Sequence, residues 1–259
     1  MIQFSFSLPL GILTAAILLI SVVTLIRNMS KIIRPSERSY KQSKQGPSHL
    51  VAVLGSGGHS TEMVSLLKNI NFRRYTHRTY IASIGDGFAV EKACQIESII
   101  QSKQRPLGPA AAEIWDLDTG IWDVKFVPRA REIHQSIYTT PFSSLWCAIG
   151  CVRVLRSIAK SSRVASNSYP DVIVANGPAT AVIVILTSTM LKFLRIAPPW
   201  KMKVVYVESW ARVKNLSMSG RLVLTLGISD RFLVQWEKLE KKINRNGVKK
   251  VEWAGFLVD

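Results

Sequence analysis

The residues best placed to do chemistry form four short clusters. The first is Gly55-Ser56-Gly57-Gly58-His59-Ser60-Thr61-Glu62-Met63, directly after an apolar, β-branched run. Three glycines let a backbone turn tightly and present free N–H groups, and a helix starting there favours an anion. A phosphate-bearing ligand held by Gly55, Ser56, Gly57, Gly58 and Ser60 is the expected guest, with a bare strand-to-helix turn as the competing account. As a dinucleotide fingerprint the loop fails, because Ser60 occupies the third glycine position; no Lys follows the last glycine, so the nucleoside-triphosphate loop pattern is absent too. NAD and ATP are therefore not expected. His59 could donate to a phosphate or act as a general base, or it could cap the turn.

The second cluster, Pro128-Arg129-Ala130-Arg131-Glu132-Ile133-His134-Gln135-Ser136, is basic. Arg129 and Arg131 could clamp a diphosphate bidentately, or be solvated surface charges. The third, Asn176-Gly177-Pro178-Ala179-Thr180, offers an amide side chain and N–H groups from Asn176 and Gly177 at another helix start. In the fourth, Glu208-Ser209-Trp210-Ala211-Arg212, a carboxylate follows an apolar strand, a setting that raises a pKa. Glu208 is either a base or a structural partner of Arg212 four residues on.

Elements must bring these clusters together. Buried strands are expected at His49 to Leu54, Thr79 to Ser83, Val124 to Val127, Asp171 to Ala175, Lys203 to Val207 and Arg231 to Gln235. Helices are expected between them, at Ser60 to Asn69, Phe88 to Gln101, Phe142 to Ser161, Ala179 to Leu194 and Ser217 to Leu226. Alternation of strand and helix predicts a doubly wound α/β fold, one Rossmann-like domain spanning residues 48–259. In such folds ligands bind where strands end, which is where all four clusters lie. Gln101 to Asp123 reads as an irregular insertion carrying two tryptophans.

Residues 1–26 carry no charge and are apolar from Leu8, long enough for a bilayer core of about 30 Å. The basic residues follow the apolar run instead of preceding it, which favours an uncleaved transmembrane anchor over a signal peptide. Arg27, Lys31, Arg34, Arg38, Lys41 and Lys44 against Glu37 make residues 27–47 a basic juxtamembrane linker along an anionic membrane surface, with the domain on the cytosolic side. The apolar stretches Leu145 to Leu155 and Ala179 to Leu191 are read as too short to span, and therefore as buried helices. Arg153, Arg156, Lys160 and Arg163 share a helix face, either headgroup-facing or simply solvated.

Composition narrows the rest. With 34 Lys and Arg against 17 Asp and Glu, the chain carries a formal charge of +17, and 47 % of it is hydrophobic. Disordered, collagen-like and disulfide-rich classes are excluded. Cys94, Cys147 and Cys151 have neither CxxC nor His spacing, so no metal site is expected, nor any other cofactor. Nucleic-acid binding ranks last because much of the charge abuts the anchor.

The glycine loop, the basic loop, Asn176-Gly177-Pro178, the run from Tyr206 to Val213 and Asp230-Phe232-Val234-Gln235-Trp236 together resemble one family. It is the membrane-anchoring subunit of the two-protein UDP-N-acetylglucosamine transferase of dolichol-linked oligosaccharide assembly, asparagine-linked glycosylation protein fourteen. The glycine loop by itself also resembles that of the bacterial lipid-linked peptidoglycan glucosaminyltransferase. The family resemblance implies the acceptor-side half of a GT-B glycosyltransferase, with the nucleotide-sugar half on a small cytosolic catalytic subunit. It further implies the endoplasmic reticulum membrane or nuclear envelope, and transfer of N-acetylglucosamine to GlcNAc-diphosphodolichol. Carried over by position, Gly55, Gly57, Gly58, His59, Asn176, Gly177 and Glu208 line the acceptor cleft, with His59 or Glu208 as base. Trp253, Phe256, Leu257 and Val258 in the tail dock the partner. Ala179 and His134 depart from the family pattern. A self-sufficient membrane glycosyltransferase and a pure membrane scaffold with a vestigial pocket are the competing readings.

Deleting residues 1–30 is expected to leave a folded protein that still binds the partner and is released from membranes, with at most a residual attachment through the basic helix face; unchanged sedimentation with membranes would contradict the sole-anchor reading.

Overall fold

The computed structural model describes residues 20–21, 23–26, 28, 47–103, 120–132, 135–136, 138–161, 168–177, 179–245 and 250–257. Most of the expected anchor and linker, the centre of the expected insertion, and His134, Arg163, Pro178 and Val258 lie outside them.

Seven parallel strands form one sheet among the described residues, in the order β3-β2-β1-β4-β5-β6-β7. They are β1 His49–Val53, β2 His77–Ser83, β3 Ile121–Val127, β4 Val172–Asn176, β5 Lys203–Val207, β6 Arg231–Val234 and β7 Glu252–Trp253. The helices are α1 Gly58–Leu67, α2 Gly87–Ser102, α3 Thr140–Ser161, α4 Ala179–Phe193, α5 Met218–Leu226 and α6 Glu237–Ile243. The α/β, Rossmann-like expectation holds.

Alternation along β1 explains the two layers. Leu50, Ala52 and Leu54 face one side, packing with Met63 and Leu67 of α1 and Ala93, Ile96 and Ile100 of α2. Val51 and Val53 face the other, in a cluster with Cys151 and Leu155 of α3, Val184 and Ile185 of α4, Val223 of α5 and Leu239 of α6. Helices therefore change sides between β2 and β4, and strand order reverses between β1 and β4. That is the topological switch point, where a crevice must open at the carboxyl ends.

Three expectations need correction. β3 begins at Ile121, so Trp122 belongs to a strand, where its ring meets Tyr80 edge-on at 6.2 Å. A loop reading failed there because Asp123 and Lys125 interrupt the apolar run of this edge strand, and they are accommodated by pairing with each other and by the Thr79 hydroxyl, which donates to Asp123. Two short elements, α6 and β7, were not expected at all. Finally, the segment around Leu145 to Leu155 belongs to a helix of 22 residues, long and apolar enough to cross a membrane by length and composition. Its Cys147, Cys151, Leu155 and Ile158 are nevertheless buried in the core cluster, so it packs on the sheet.

One buried ion pair fastens α2 to β2. The Arg78 guanidinium donates through Nε and Nη2 to both Glu97 oxygens at 2.7 Å, and Tyr80 Oη donates to Glu97 at 2.6 Å. Both charged residues are almost completely buried. Removing one partner strands the other charge in the core. Glu97→Ala is therefore expected to cost about 3–5 kcal/mol in urea unfolding, whereas a loss below about 1 kcal/mol would show that water reaches Arg78.

Candidate active site

The crevice at the switch point is closed at its base by a chain of three side chains from two elements, α1 and β4. Glu62 stands in the first turns of α1, Asn176 at the last residue of β4, and His59 one helical turn before Glu62. The glycine-initiated start of α1 makes this possible. Gly57 adopts φ +63°, a left-handed conformation that suits glycine, and turns the chain from β1 into the helix.

The buried Glu62 carboxylate accepts from Asn176 Nδ2, from Ser209 Oγ at 2.6 Å and from the Trp210 N–H at 3.2 Å. Burial pushes this carboxyl upward, but the donors of His59, Ser209 and Asn176 outweigh it and hold the pKa below the ordinary value. An ionised Glu62 is acceptor-only, so it fixes which way the Asn176 amide points. Asn176 Oδ1 is then left to accept from His59 Nδ1 at 3.0 Å. In the neutral imidazole this puts the proton on Nδ1 and leaves Nε2 with a free lone pair. The Glu62 carboxylate, 3.6 Å from His59 Nδ1, is the main cause of an imidazole pKa above the usual 6.5; burial opposes it, and Asn176 and the charge of Glu208 add to it.

Gly177 completes the seat. Its φ is +88°, and a Cβ there would lie 2.5 Å from His59 Nδ1 and 2.6 Å from Cγ. The ring thus rests against bare backbone, half-exposed at 34 % of its side chain.

Beside it, Ser56, Gly57 and Gly58 are exposed at the N-terminus of α1, where backbone N–H groups favour an anion. Gly55 and Ser60 lie beneath: both are buried, and Ser60 Oγ donates to the Gly55 carbonyl. Ser60 therefore tightens the loop instead of lining it, since its hydroxyl proton is spent on the backbone.

The basic loop after β3 reaches the same edge through Thr180, whose Oγ1 accepts from the Ala130 N–H at 3.4 Å and pairs with Ser83 Oγ at 3.3 Å. Arg129 Nε donates to the Ile84 carbonyl at 3.4 Å and Arg131 to the Gln135 carbonyl at 3.2 Å. Both side chains are spread along the rim and do not converge as a preformed clamp.

Glu208 takes a different place from the one expected of a base. It is 1 % exposed. One oxygen accepts from the Ser209 N–H and the other from both the N–H and Oγ of Ser217, each at 3.1 Å. Burial raises its pKa, as the sequence implied, with the Ser217 and Ser209 donors opposing. Its side-chain hydrogen-bond partner is Ser217, the N-cap of α5, while Arg212 acts on it through charge alone, and a Cβ on Gly220 would strike the carboxylate. Glu208 thus buckles the fourth loop to α5 and supports Trp210.

The tail joins the same layer. Gln235 Nε2 donates to the Glu208 carbonyl at 3.1 Å, and its Oε1 accepts from the Leu257 N–H at 3.2 Å. Trp236 Nε1 donates to the Trp210 carbonyl at 2.6 Å, while its ring meets Phe256 at 5.7 Å. Val234 pairs with Trp253 in β7. Trp253 and Phe256 stay exposed and Leu257 is half-buried. Sequence reasoning missed Glu62, Ser209 and Gln235. The signal for Glu62 was its spacing three residues after His59, one turn along the same helix.

Comparison with known proteins adds an independent finding. Residues 50–257 match the family described as "Oligosaccharide biosynthesis protein Alg14 like". The UDP-N-acetylglucosamine transferase subunit alg14 of Schizosaccharomyces pombe is 35 % identical over 238 residues, covering 90 % of this chain and 94 % of that protein. The Aspergillus fumigatus protein of the same name is 36 % identical over 233 residues, covering 76 % and 100 %. The Mus musculus one is 28 % identical over 227 residues, covering 85 % and 88 %. Among solved structures, Acinetobacter baumannii MurG aligns with TM-score 0.42 at 10 % identity, covering 73 % of this chain and 41 % of that one. LpCGTa in complex with UDP aligns at 0.43 and 13 %, covering 83 % and 55 %.

The geometry predicts that the His59 imidazole titrates above 6.5 in an NMR titration and that Glu62→Gln moves the midpoint down. Because the folded state binds this proton more tightly, its stabilising contribution is full below the unfolded pKa and disappears as pH rises through the folded one. An unchanged midpoint in the variant would remove Glu62 from the site.

Proposed function

The chain belongs to the Alg14 family, and from that premise we propose that it is the acceptor-side, membrane-anchoring subunit of a heteromeric UDP-N-acetylglucosamine transferase. The reaction adds the second N-acetylglucosamine to GlcNAc-diphosphodolichol at the cytosolic face of the endoplasmic reticulum. The observation that carries this reading is a one-sheet domain whose switch-point crevice pairs an oriented base with an exposed helix N-terminus. That crevice suits a diphosphate-linked sugar. The nucleotide-sugar pocket comes from the catalytic subunit, which completes a GT-B-type cleft.

The mechanism is largely one of position. The leading apolar segment holds the crevice beside the lipid, and the N–H groups of Ser56, Gly57 and Gly58 take the diphosphate. His59 Nε2 removes the proton of the acceptor sugar hydroxyl as its oxygen bonds to the donor anomeric carbon; the bond from that carbon to UDP breaks, and UDP leaves with its electron pair. Ionised Glu62 steadies the imidazolium that forms. Asn176 and Gly177 position the ring. Glu208, buried and fully engaged, holds the Trp210 loop. Arg129 and Arg131, spread along the rim, add positive charge at the crevice mouth that attracts the lipid phosphates.

The tail supplies the docking surface. Trp253 and Phe256 are exposed aromatic residues of the kind that anchor an interface, flanked by Leu257. Gln235 ties that surface to the Glu208 loop, so the partner docks on the scaffold that holds the site.

Purified chain is expected to show no turnover of UDP-N-acetylglucosamine with the lipid acceptor until the catalytic subunit is added. In the complex His59→Ala should lower kcat by about 10²–10⁴. Turnover by the chain unaided would establish a self-sufficient transferase. Full activity of His59→Ala, together with loss of activity on truncating Trp253 to Asp259, would establish a scaffold.

A further inference from the structure

Helix α3 presents two faces of opposite commitment. Its inner face, Cys147, Cys151, Leu155 and Ile158, is buried on the sheet. Its outer face is exposed and apolar: Phe142 (77 %), Leu145 (62 %), Trp146 (59 %) and Ile149, with Tyr138 (89 %) in the turn before. Positions 138, 142, 145, 146 and 149 follow the helical repeat and lie along one ridge. The same ridge continues, at the same spacing, as the exposed residues Arg153, Arg156 and Lys160. The helix contains neither Asp nor Glu.

A soluble surface rarely keeps a contiguous apolar stripe of this size without something to cover it. The pattern selects the cover. Trp and Tyr prefer the bilayer interface, where an apolar ring and a polar edge are both satisfied. Cations further along an amphipathic helix sit on lipid phosphates, and an acid-free helix meets no repulsion from them. Because the inner face is held in the core, α3 is placed to lie along a membrane instead of through it. Two placements agree. α3 follows β3, so its apolar end stands at the carboxyl edge of the sheet, the edge on which the crevice opens. The described turns of the leading helix set Val23 and Ile26 against the same core cluster that buries the inner face of α3.

We propose that the outer face of α3 is a second, interfacial membrane contact: Tyr138, Phe142, Leu145, Trp146 and Ile149 enter the acyl boundary of an anionic leaflet, and Arg153, Arg156 and Lys160 bind its phosphates. This rests on the reading that the chain works at a membrane, and it adds an orientation. A single leading helix leaves the chain free to rotate about that helix's axis; a second contact turns the crevice mouth toward the bilayer from which a lipid-linked sugar arrives.

The test uses the full chain in phosphatidylcholine and phosphatidylserine vesicles, with ordinary or brominated acyl chains. The fluorescence of Trp146 is taken as the difference between the wild type and Trp146→Phe. Bromine is expected to quench that difference. Combined Arg153→Glu, Arg156→Glu and Lys160→Glu should restore it, each cation being worth roughly fivefold in surface partition. Equal Trp146 emission in both vesicle types, in a chain that still sediments with them, overturns the α3 contact and leaves the leading anchor standing. A chain that does not sediment overturns both. If the catalytic subunit shields Trp146 from iodide without any quenching by bromine, a protein covers this face and the proposal fails.

Discussion

The carboxylate of Glu62 is the constraint on which the site depends. It is a buried charge, stable only because Asn176, Ser209 and the Trp210 backbone all donate to it. Those donors come from β4 and from the loop after β5, while Glu62 itself belongs to the helix after β1. One ionised group thus pins three carboxyl-edge loops around the switch point. It also propagates direction: the amide of Asn176 has only one orientation that serves Glu62, and that orientation leaves the imidazole of His59 a single way to hydrogen-bond. The His59 imidazole, the proposed proton acceptor, is therefore aimed by a carboxylate that stands behind it.

A second layer sits behind the first. Glu208 bonds Ser217 at the start of α5, and Gln235 joins the Glu208 carbonyl to the backbone of Leu257. The tail that offers Trp253 and Phe256 outward is consequently hydrogen-bonded inward to the loop carrying Ser209 and Trp210. Under the proposed function, this arrangement joins the proposed docking surface and the proposed acceptor site through one hydrogen-bonded layer.

Much of this was legible in the sequence. Apolar runs such as His49 to Val53 are buried on both faces, so composition alone marked them as parallel strands. The loops after β1 and β4 were identifiable because ligand-bearing residues follow strands in this fold. What escaped was of two kinds. Short elements at the sheet edge, α6 and β7, hold too few residues for a period to emerge, and α6 is mostly Lys and Glu. Pairwise partnerships escaped as well. Glu208 and Arg212 have helical spacing, but their segment is a loop, so spacing could not find Ser217, nine residues away. Ser60 looked like a ligand residue because a hydroxyl in a glycine loop has two possible partners, and burial decided for the backbone. The family resemblance carried the function further than spacing could, since no single loop names a sugar.

The most direct test is the tautomer of His59 itself. Long-range nitrogen–proton NMR of the full chain, recorded on the alkaline side of the imidazole titration, distinguishes a protonated Nδ1 from a protonated Nε2. The account predicts Nδ1–H with a bare Nε2, converting to a mixture when Asn176→Ala breaks the chain from Glu62. Nε2–H in the native protein would contradict it, because the crevice would then present a donor where a base is required.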